Sequence, residues 1–140
     1  MQLGGRLITR AELDAMIVPD GVYIDCISVD DGIDLLIPPG QDVHFANHSC
    51  DPNIWHIDAY TLVARRNIAV DEEITLDYAT QADAPGELFA CLCGSELCRG
   101  SVSGQDWRRA DLRERYGDHW VPVLLERIAA DVPGNIGDRR

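Results

Sequence analysis

Three closely spaced cysteines, Cys91, Cys93 and Cys98, constrain the fold more than any other feature of the sequence. Three thiolates within eight residues suit a tetrahedral zinc site that lacks one ligand. Cys26, Cys50 and the four histidines are all candidates for the fourth donor, and the spacing does not choose among them. The alternative is a set of buried thiols without a metal. We expect a zinc ion bound at this cluster to hold separate parts of the chain together.

The composition fits one packed domain, because 46% of the 140 residues are hydrophobic. The formal charge of −12 argues against direct nucleic-acid binding and favours a basic protein or peptide as partner. Solvation alone explains the charge equally well. No apolar run reaches the roughly 20 residues of a membrane-spanning helix, and the N-terminus lacks a signal-peptide pattern. We therefore expect no membrane association and a cytoplasmic location.

Near the N-terminus, the residue pattern predicts a short helix followed by a hairpin. Thr9 and Glu12 have the spacing of a capping box, which predicts a helix over residues 11–16. Residues 22–29 and 33–37 read as the two strands of a hairpin, and the second strand alternates apolar with polar residues as a half-buried strand does.

The middle of the chain predicts two more strands, over residues 60–64 and 74–78. Alternation in the second of these strands places Leu76 and Tyr78 on one face. A polar loop that opens at residues 38–40 and runs through residues 44–53 precedes both strands, and loops of this kind often carry functional side chains.

The C-terminal part of the chain predicts two helices and gives a fold class that is mostly β with C-terminal helices. Gly117 divides the helical pattern, Asp118 is placed to cap the second helix, and Pro122 falls in its first turn. Large aromatic residues at helical spacing indicate core packing more often than a ligand site. These residues are Trp107, Tyr116 and Trp120.

Residues 47–53 spell NHSCDPN, a highly specific string. It is followed by ARRNIAVDEEITLDY at residues 64–78 and by the C-x-C-G and C-R-G elements within residues 91–100. In this order and spacing, the three segments resemble the C-terminal half of a SET domain of the protein-lysine methyltransferase family, followed by its post-SET cysteines. The resemblance implies a SET-like fold of short sheets with knot-like threading and a post-SET zinc site.

Carried over residue by residue, the resemblance makes Cys50 the fourth zinc ligand beside the three clustered cysteines. A site closed by four thiolates is structural, because no coordination position stays open for water. Zinc would then shape the site without taking part in the chemistry. Cys26 is left as a buried thiol.

The resemblance also implies a site for S-adenosylmethionine. Asn47 and His48 match positions that contact this methyl donor in the family. Phe89 is placed like aromatic residues that pack near the adenine ring. Without this motif, we would interpret His48 as a loop residue whose imidazole forms hydrogen bonds within the loop. Core packing explains Phe89 equally well.

Tyr78 matches the catalytic tyrosine of the family. Leu76 matches a position that many members fill with Tyr or Phe and that is linked to the number of methyl groups added, so its lack of a hydroxyl disfavours a product limited to one methyl. The target amine must be neutral to attack the sulfonium methyl, although a free lysine is protonated at neutral pH. An apolar channel and the positive sulfonium both disfavour the ammonium form, so no dedicated general base is required.

Complete members of this family begin with a Gly-x-Gly strand that approaches the methyl donor closely. Residues 5–8 look instead like the segment that follows this strand, so we expect the strand to be missing before Met1. Its loss predicts weak donor binding and an exposed sheet edge through which the protein self-associates.

The predicted organisation is a SET-like domain at residues 1–90, a post-SET cysteine segment at 91–101 and a helical tail at 102–140. The predicted function is S-adenosylmethionine-dependent methyl transfer to lysine side chains of a basic protein or peptide. The alternative is a zinc-stapled, SET-like protein-binding module with weak or no catalysis.

Overall fold

A computed structural model describes residues 1–16 and 25–131. In this part of the chain, nine short strands precede two C-terminal helices, which confirms the predicted class. The strands are β1 (Arg6–Thr9), β2 (Cys26–Asp30), β3 (Ile33–Leu36), β4 (Asn47–His48), β5 (Ile54–Asp58), β6 (Thr61–Ala64), β7 (Thr75–Leu76), β8 (Glu87–Ala90) and β9 (Ser101–Ser103). The helices are α1 (Arg10–Met16), α2 (Ala110–Tyr116) and α3 (Pro122–Asp131), and three 3-10 helices span Asp42–Phe45, Tyr78–Thr80 and Asp106–Arg108. Within the described ranges, no helix is long and apolar enough to cross a membrane.

The N-terminal sheet has the antiparallel order β1-β3-β2 and contains the predicted hairpin. The capping box forms as expected, because the backbone N–H of Thr9 donates to Glu12 Oε2 at 2.7 Å and the N–H of Glu12 donates to Thr9 Oγ1 at 3.2 Å. Residues 22–24 of the predicted first strand lie outside the described residues. Strands β1 and β2 form the sheet edges, and self-association through such an edge stays a prediction.

The alternation predicted for β3 is wrong at Asp34, which is 1% exposed instead of facing water. Arg10 reaches over the sheet and donates to Asp34 Oδ1 at 2.8 Å, and the Ser28 hydroxyl donates to the same oxygen at 3.0 Å. These partners make burial of the carboxylate tolerable, so both faces of this strand are covered.

The β4 and β7 strands form a two-residue parallel pair, with Asn47 opposite Thr75 and His48 opposite Leu76. This pairing brings the polar loop beside the segment that leads to Tyr78. The β5–β6 hairpin and the β8–β9 pair form two further, separate antiparallel ladders. The knot-like threading and the division into three segments stay predictions.

The strand predicted over residues 74–78 is shorter than expected. It covers Thr75–Leu76, and Tyr78 begins a 3-10 helix. The cause is Asp77, whose side chain caps this helix by accepting the backbone N–H of Ala79 at 3.0 Å. Leu76 is buried, whereas Tyr78 is half-buried and leaves the strand direction.

The helical tail packs onto the sheets as predicted. Helix α2 ends at Gly117, which has a positive φ of 52° that favours glycine, and Pro122 is the first residue of α3. The capping role predicted for Asp118 is wrong, because α3 starts four residues later. The three tail aromatics are buried in the main hydrophobic core beside residues of the N-terminal sheet, including Ile27 and Leu35.

Candidate functional site

The thiols predicted to bind zinc lie close together, although they come from distant parts of the chain. Cys50 Sγ is 3.8 Å from Cys91 Sγ, and the backbone N–H of Cys50 donates to Cys93 Sγ at 3.5 Å. Two thiolates held by one tetrahedral zinc at roughly 2.3 Å would also lie about 3.8 Å apart. The spacing of these thiols therefore fits a zinc ion.

The fourth ligand is a choice between His48 and Cys98. The ligand atoms of His48 and of the three cysteines above all lie within 4.8 Å of one another. However, His48 Nδ1 accepts the backbone N–H of Tyr78 at 3.2 Å, and burial lowers the pKa of His48, which keeps the ring neutral. Its proton then resides on Nε2, which donates to Cys50 Sγ at 3.4 Å. Neither ring nitrogen offers a lone pair to a metal, so the geometry favours Cys98.

Cys98 packs against the same cluster, and its thiol donates to the backbone carbonyl of Cys91 at 3.5 Å. Its role as a ligand stays a prediction. Burial raises the pKa of Cys91. Burial also acts on Cys93, but the backbone N–H groups of Cys50 and Ser95 outweigh it and lower its pKa. The pKa values of these two thiols are thus shifted in opposite directions, and Cys93 is the more readily ionised.

A buried ion-pair network, which the sequence interpretation missed, borders the cysteine cluster. Arg99 donates to the two carboxylate oxygens of Asp77 at 2.8 and 2.9 Å and to Asp106 Oδ2 at 2.8 Å. The same guanidinium donates to Cys50 Sγ at 3.1 Å. Burial opposes its charge, but the two carboxylates outweigh burial and raise the pKa of Arg99. The only signal in the sequence was that Arg99 directly follows Cys98.

A cavity of about 490 Å³ lies beside the cluster, within the size range of small-molecule sites. Its walls include Leu76, Tyr78 and Phe89, which the sequence assigned to the channel, to catalysis and to donor binding. The His48 ring packs edge-on against Phe89 and Tyr78, with centroids 5.2 and 5.5 Å away. The structure thus brings four predicted site residues close together, namely His48, Leu76, Tyr78 and Phe89.

The cavity also has a polar wall, formed in part by Asp25, Cys26 and Asp34. Cys26 is half-buried, and burial raises the pKa of its thiol to about 11. Its thiol is therefore protonated and poorly nucleophilic at neutral pH. The cysteine that the sequence left without a metal role lies in this wall and outside the metal cluster.

Tyr78 is held at both ends by the polar loop. Its hydroxyl donates to the backbone carbonyl of Ala46 at 2.8 Å, and its backbone N–H donates to His48 Nδ1. A hydroxyl oxygen whose proton is directed at a carbonyl can still accept a hydrogen bond from another N–H group. The Tyr78 hydroxyl therefore has a fixed direction at the wall of the cavity.

The two asparagines at the ends of NHSCDPN have different surroundings. Asn47 is exposed, and its amide donates to Glu73 Oε1 at 2.7 Å. Asn53 is 1% exposed, donates to the backbone carbonyl of Glu73 at 2.7 Å and accepts the backbone N–H of Thr75 at 2.8 Å. Asn53 thus ties the loop to β7, a role that the sequence interpretation did not assign.

A family model of the SET domain matches residues 8–79, which is more than half of the chain. The chain belongs to the SET-domain family. The match includes the polar loop and Tyr78 of this SET domain and ends before the cysteine cluster at residues 91–98.

Curated relatives of this SET domain include histone-lysine N-methyltransferase ash1 of Drosophila melanogaster, which is 32% identical over 118 residues, or 74% of this chain and 5% of that protein. Histone-lysine N-methyltransferase EHMT1 of Mus musculus is 28% identical over 104 residues, or 66% of this chain and 8% of that protein. Methyltransferase flvH of Aspergillus flavus is 32% identical over 107 residues, or 74% of this chain and 58% of that protein. The chain thus spans only part of each relative.

Proposed function

We propose that this SET domain transfers methyl groups from S-adenosylmethionine to lysine side chains of a basic protein or peptide. The observation that carries the proposal is the cavity in which Leu76, Tyr78 and Phe89 meet, beside His48 and the cysteine cluster. Relatives that are named histone-lysine methyltransferases support the same reaction class. The formal charge of −12 supports a basic substrate.

Bound S-adenosylmethionine would supply an electrophilic methyl group on a positive sulfur. His48 and Phe89 would hold it beside the cavity, and Asn47 would contact it from the loop. Zinc at the cysteine cluster would keep the loop and the cysteine segment together without entering the reaction.

The chain's own residues would prepare the lysine amine. The apolar side chains of Val43, Leu76 and Leu88 form one part of the cavity wall, away from its polar side chains, and an amine held against this part would be disfavoured as an ammonium by desolvation. The Tyr78 oxygen, with its proton directed at Ala46, would accept one N–H of the neutral amine and aim the nitrogen lone pair at the methyl group. The new N–C bond would replace the S–C bond of the donor, whose electron pair would stay on the departing sulfur, and the methylated nitrogen would release its extra proton to solvent.

The test is methyl transfer from radiolabelled S-adenosylmethionine to lysine-rich peptides by the zinc-loaded chain and by a Tyr78→Phe variant. Loss of the hydroxyl should lower kcat by about a hundredfold, the effect of a small misplacement of reacting groups. Tyr60→Phe is the matched control, because Tyr60 is exposed at the β5–β6 turn, outside the Tyr78 cavity.

Equal incorporation by the parent and the Tyr78→Phe variant would remove Tyr78 from the reaction. A parent that binds zinc and basic peptides but neither binds the donor in a calorimetric titration nor incorporates methyl would instead be the binding module. The two functions are thus separated by one titration and one rate measurement.

A further inference from the structure

Arg99 contacts the cysteine cluster, Asp106 and the residue that directly precedes Tyr78. It follows the last cysteine of the cluster, its side chain is 5% exposed, and its guanidinium contacts Cys50 Sγ at 3.1 Å. Two further hydrogen bonds hold the Asp77 carboxylate, which is completely buried and belongs to the residue directly before Tyr78. The Arg99 side chain thus links the Cys50 thiol to the carboxylate of Asp77, the residue directly before Tyr78.

The Asp77 carboxylate is saturated with donors. Besides Arg99, it accepts the Tyr116 hydroxyl at 2.7 Å and the backbone N–H of Ala79 at 3.0 Å. The Ala79 bond caps the 3-10 helix that Tyr78 begins. Asp106 begins the next 3-10 helix, and its Oδ2 accepts a hydrogen bond from Arg99 Nε at 2.8 Å. The direction of Tyr78 therefore depends on where Arg99 holds Asp77.

We propose that Arg99 is a positioning residue that couples metal occupancy of the cysteine cluster to the placement of Tyr78. The coupling runs from Cys50 through the Arg99 guanidinium to the Asp77 carboxylate, and from there to the Tyr78 backbone. Loss of the metal frees Cys50 and the segment that carries Arg99, which loosens Asp77 and the helix it caps. The proposal deepens the proposed function, because it gives the metal a second role in tuning the site.

Hydrogen exchange at the Tyr78 backbone N–H, followed by NMR on the full chain, tests the coupling without any methyl transfer. This N–H donates to His48 Nδ1 at 3.2 Å, so its protection reports the placement of Tyr78. Chelation of zinc should speed its exchange by about tenfold, the change expected for loss of one charge-assisted hydrogen bond. The N–H of buried Leu62, bonded to the Met1 carbonyl at 2.9 Å, serves as the reference for overall stability.

The decisive variant is Arg99→Lys, saturated with zinc. Lysine keeps the charge but cannot bind both oxygens of Asp77 while also reaching Cys50 and Asp106. Exchange at Tyr78 should rise by about tenfold with zinc still bound, while exchange at the Leu62 reference stays at the parent value. The kcat for methyl transfer should fall and the KM for the donor should stay unchanged.

Arg109→Lys is the matched control, because Arg109 pairs with Asp111 on the surface and is 43% exposed. Parent-like exchange at Tyr78 in zinc-saturated Arg99→Lys overturns the proposal, and so does an equal rise at all core amides. If Arg99→Lys does not fold, Asp106→Asn replaces it, with a smaller rise at Tyr78 expected and parent-like exchange again refuting the coupling. A parent without methyltransferase activity would refute the proposed function and leave the exchange result unaffected.

Discussion

Replacing Asn53 by alanine should detach the polar loop from β7. The Asn53 side chain makes three hydrogen bonds, to the Glu73 carbonyl at 2.7 Å, to the Thr75 N–H at 2.8 Å and to Glu72 Oε1 at 3.0 Å. A buried hydrogen bond contributes about 1 kcal/mol net, so three such bonds predict a loss of about 3 kcal/mol in the free energy of unfolding. That is a large part of the ~5–15 kcal/mol that typical domains have.

Asn53→Asp sharpens this prediction, because aspartate keeps the shape and loses the donors. Its second oxygen would face the Glu73 carbonyl and the Glu72 carboxylate, which have no proton to offer. Burial of an unpaired charge adds a further cost. We therefore expect Asn53→Asp to be at least as destabilised as Asn53→Ala, although it differs from the parent by one atom type.

Urea unfolding of the zinc-loaded protein, followed by fluorescence of its three tryptophans, measures both changes. Asn67→Ala is the control, because Asn67 is exposed and only its backbone carbonyl accepts a hydrogen bond from Arg66. The control should stay within about 0.5 kcal/mol of the parent. An Asn53→Ala variant that also stays within this range, or an Asn53→Asp variant as stable as the parent, would refute the role given to Asn53.

Two further results are expected. Chelation of the metal should lower the thermal midpoint, and Cys50→Ser should lower the zinc content measured by atomic absorption, whereas Cys26→Ser should still hold about one zinc per chain. His56 is completely buried, and burial lowers its pKa, so the unfolded chain takes up the proton first. Stability should fall as the pH drops below about 6.5, and a His56→Gln variant should show a flatter profile over pH 7.5 to 5.5; identical slopes would contradict this assignment.

Local patterns sufficed for elements whose signal lies within a few residues. The capping box at Thr9 and the glycine stop at Gly117 are set by short-range geometry, and both were predicted correctly. The burial of Asp34 could not be predicted, because it depends on Arg10 reaching it from another element. The shortened strand before Tyr78 has the same kind of cause, since Asp77 has to be recognised as a helix cap.

In the candidate site, too, local motifs could be predicted from the sequence and contacts between distant residues could not. Family motifs singled out Cys50 and Tyr78 as candidate site residues, but the network around Arg99 joins residues that lie 22 and 49 positions away along the chain. Such contacts leave no periodic trace in the sequence. The preference for Cys98 over His48 as the fourth ligand likewise depends on which group donates to His48 Nδ1.

The strands that carry the site are too short to be stable without contacts to the rest of the protein. Strands β4 and β7 have two residues each, and a two-stranded ladder of any length is marginal in water. Backbone bonds from the N–H of Ser49 to the Leu76 carbonyl and from the N–H of Asn53 to the Thr75 carbonyl, both 3.1 Å, extend this ladder. The Asn53 side chain and the Arg99–Asp77 pair add side-chain contacts that hold the same segment. Because Arg99 also contacts Cys50, a metal at the cysteine cluster would fix the far end of this pair. A zinc ion bound there would thus support the weak two-residue ladder that leads to Tyr78.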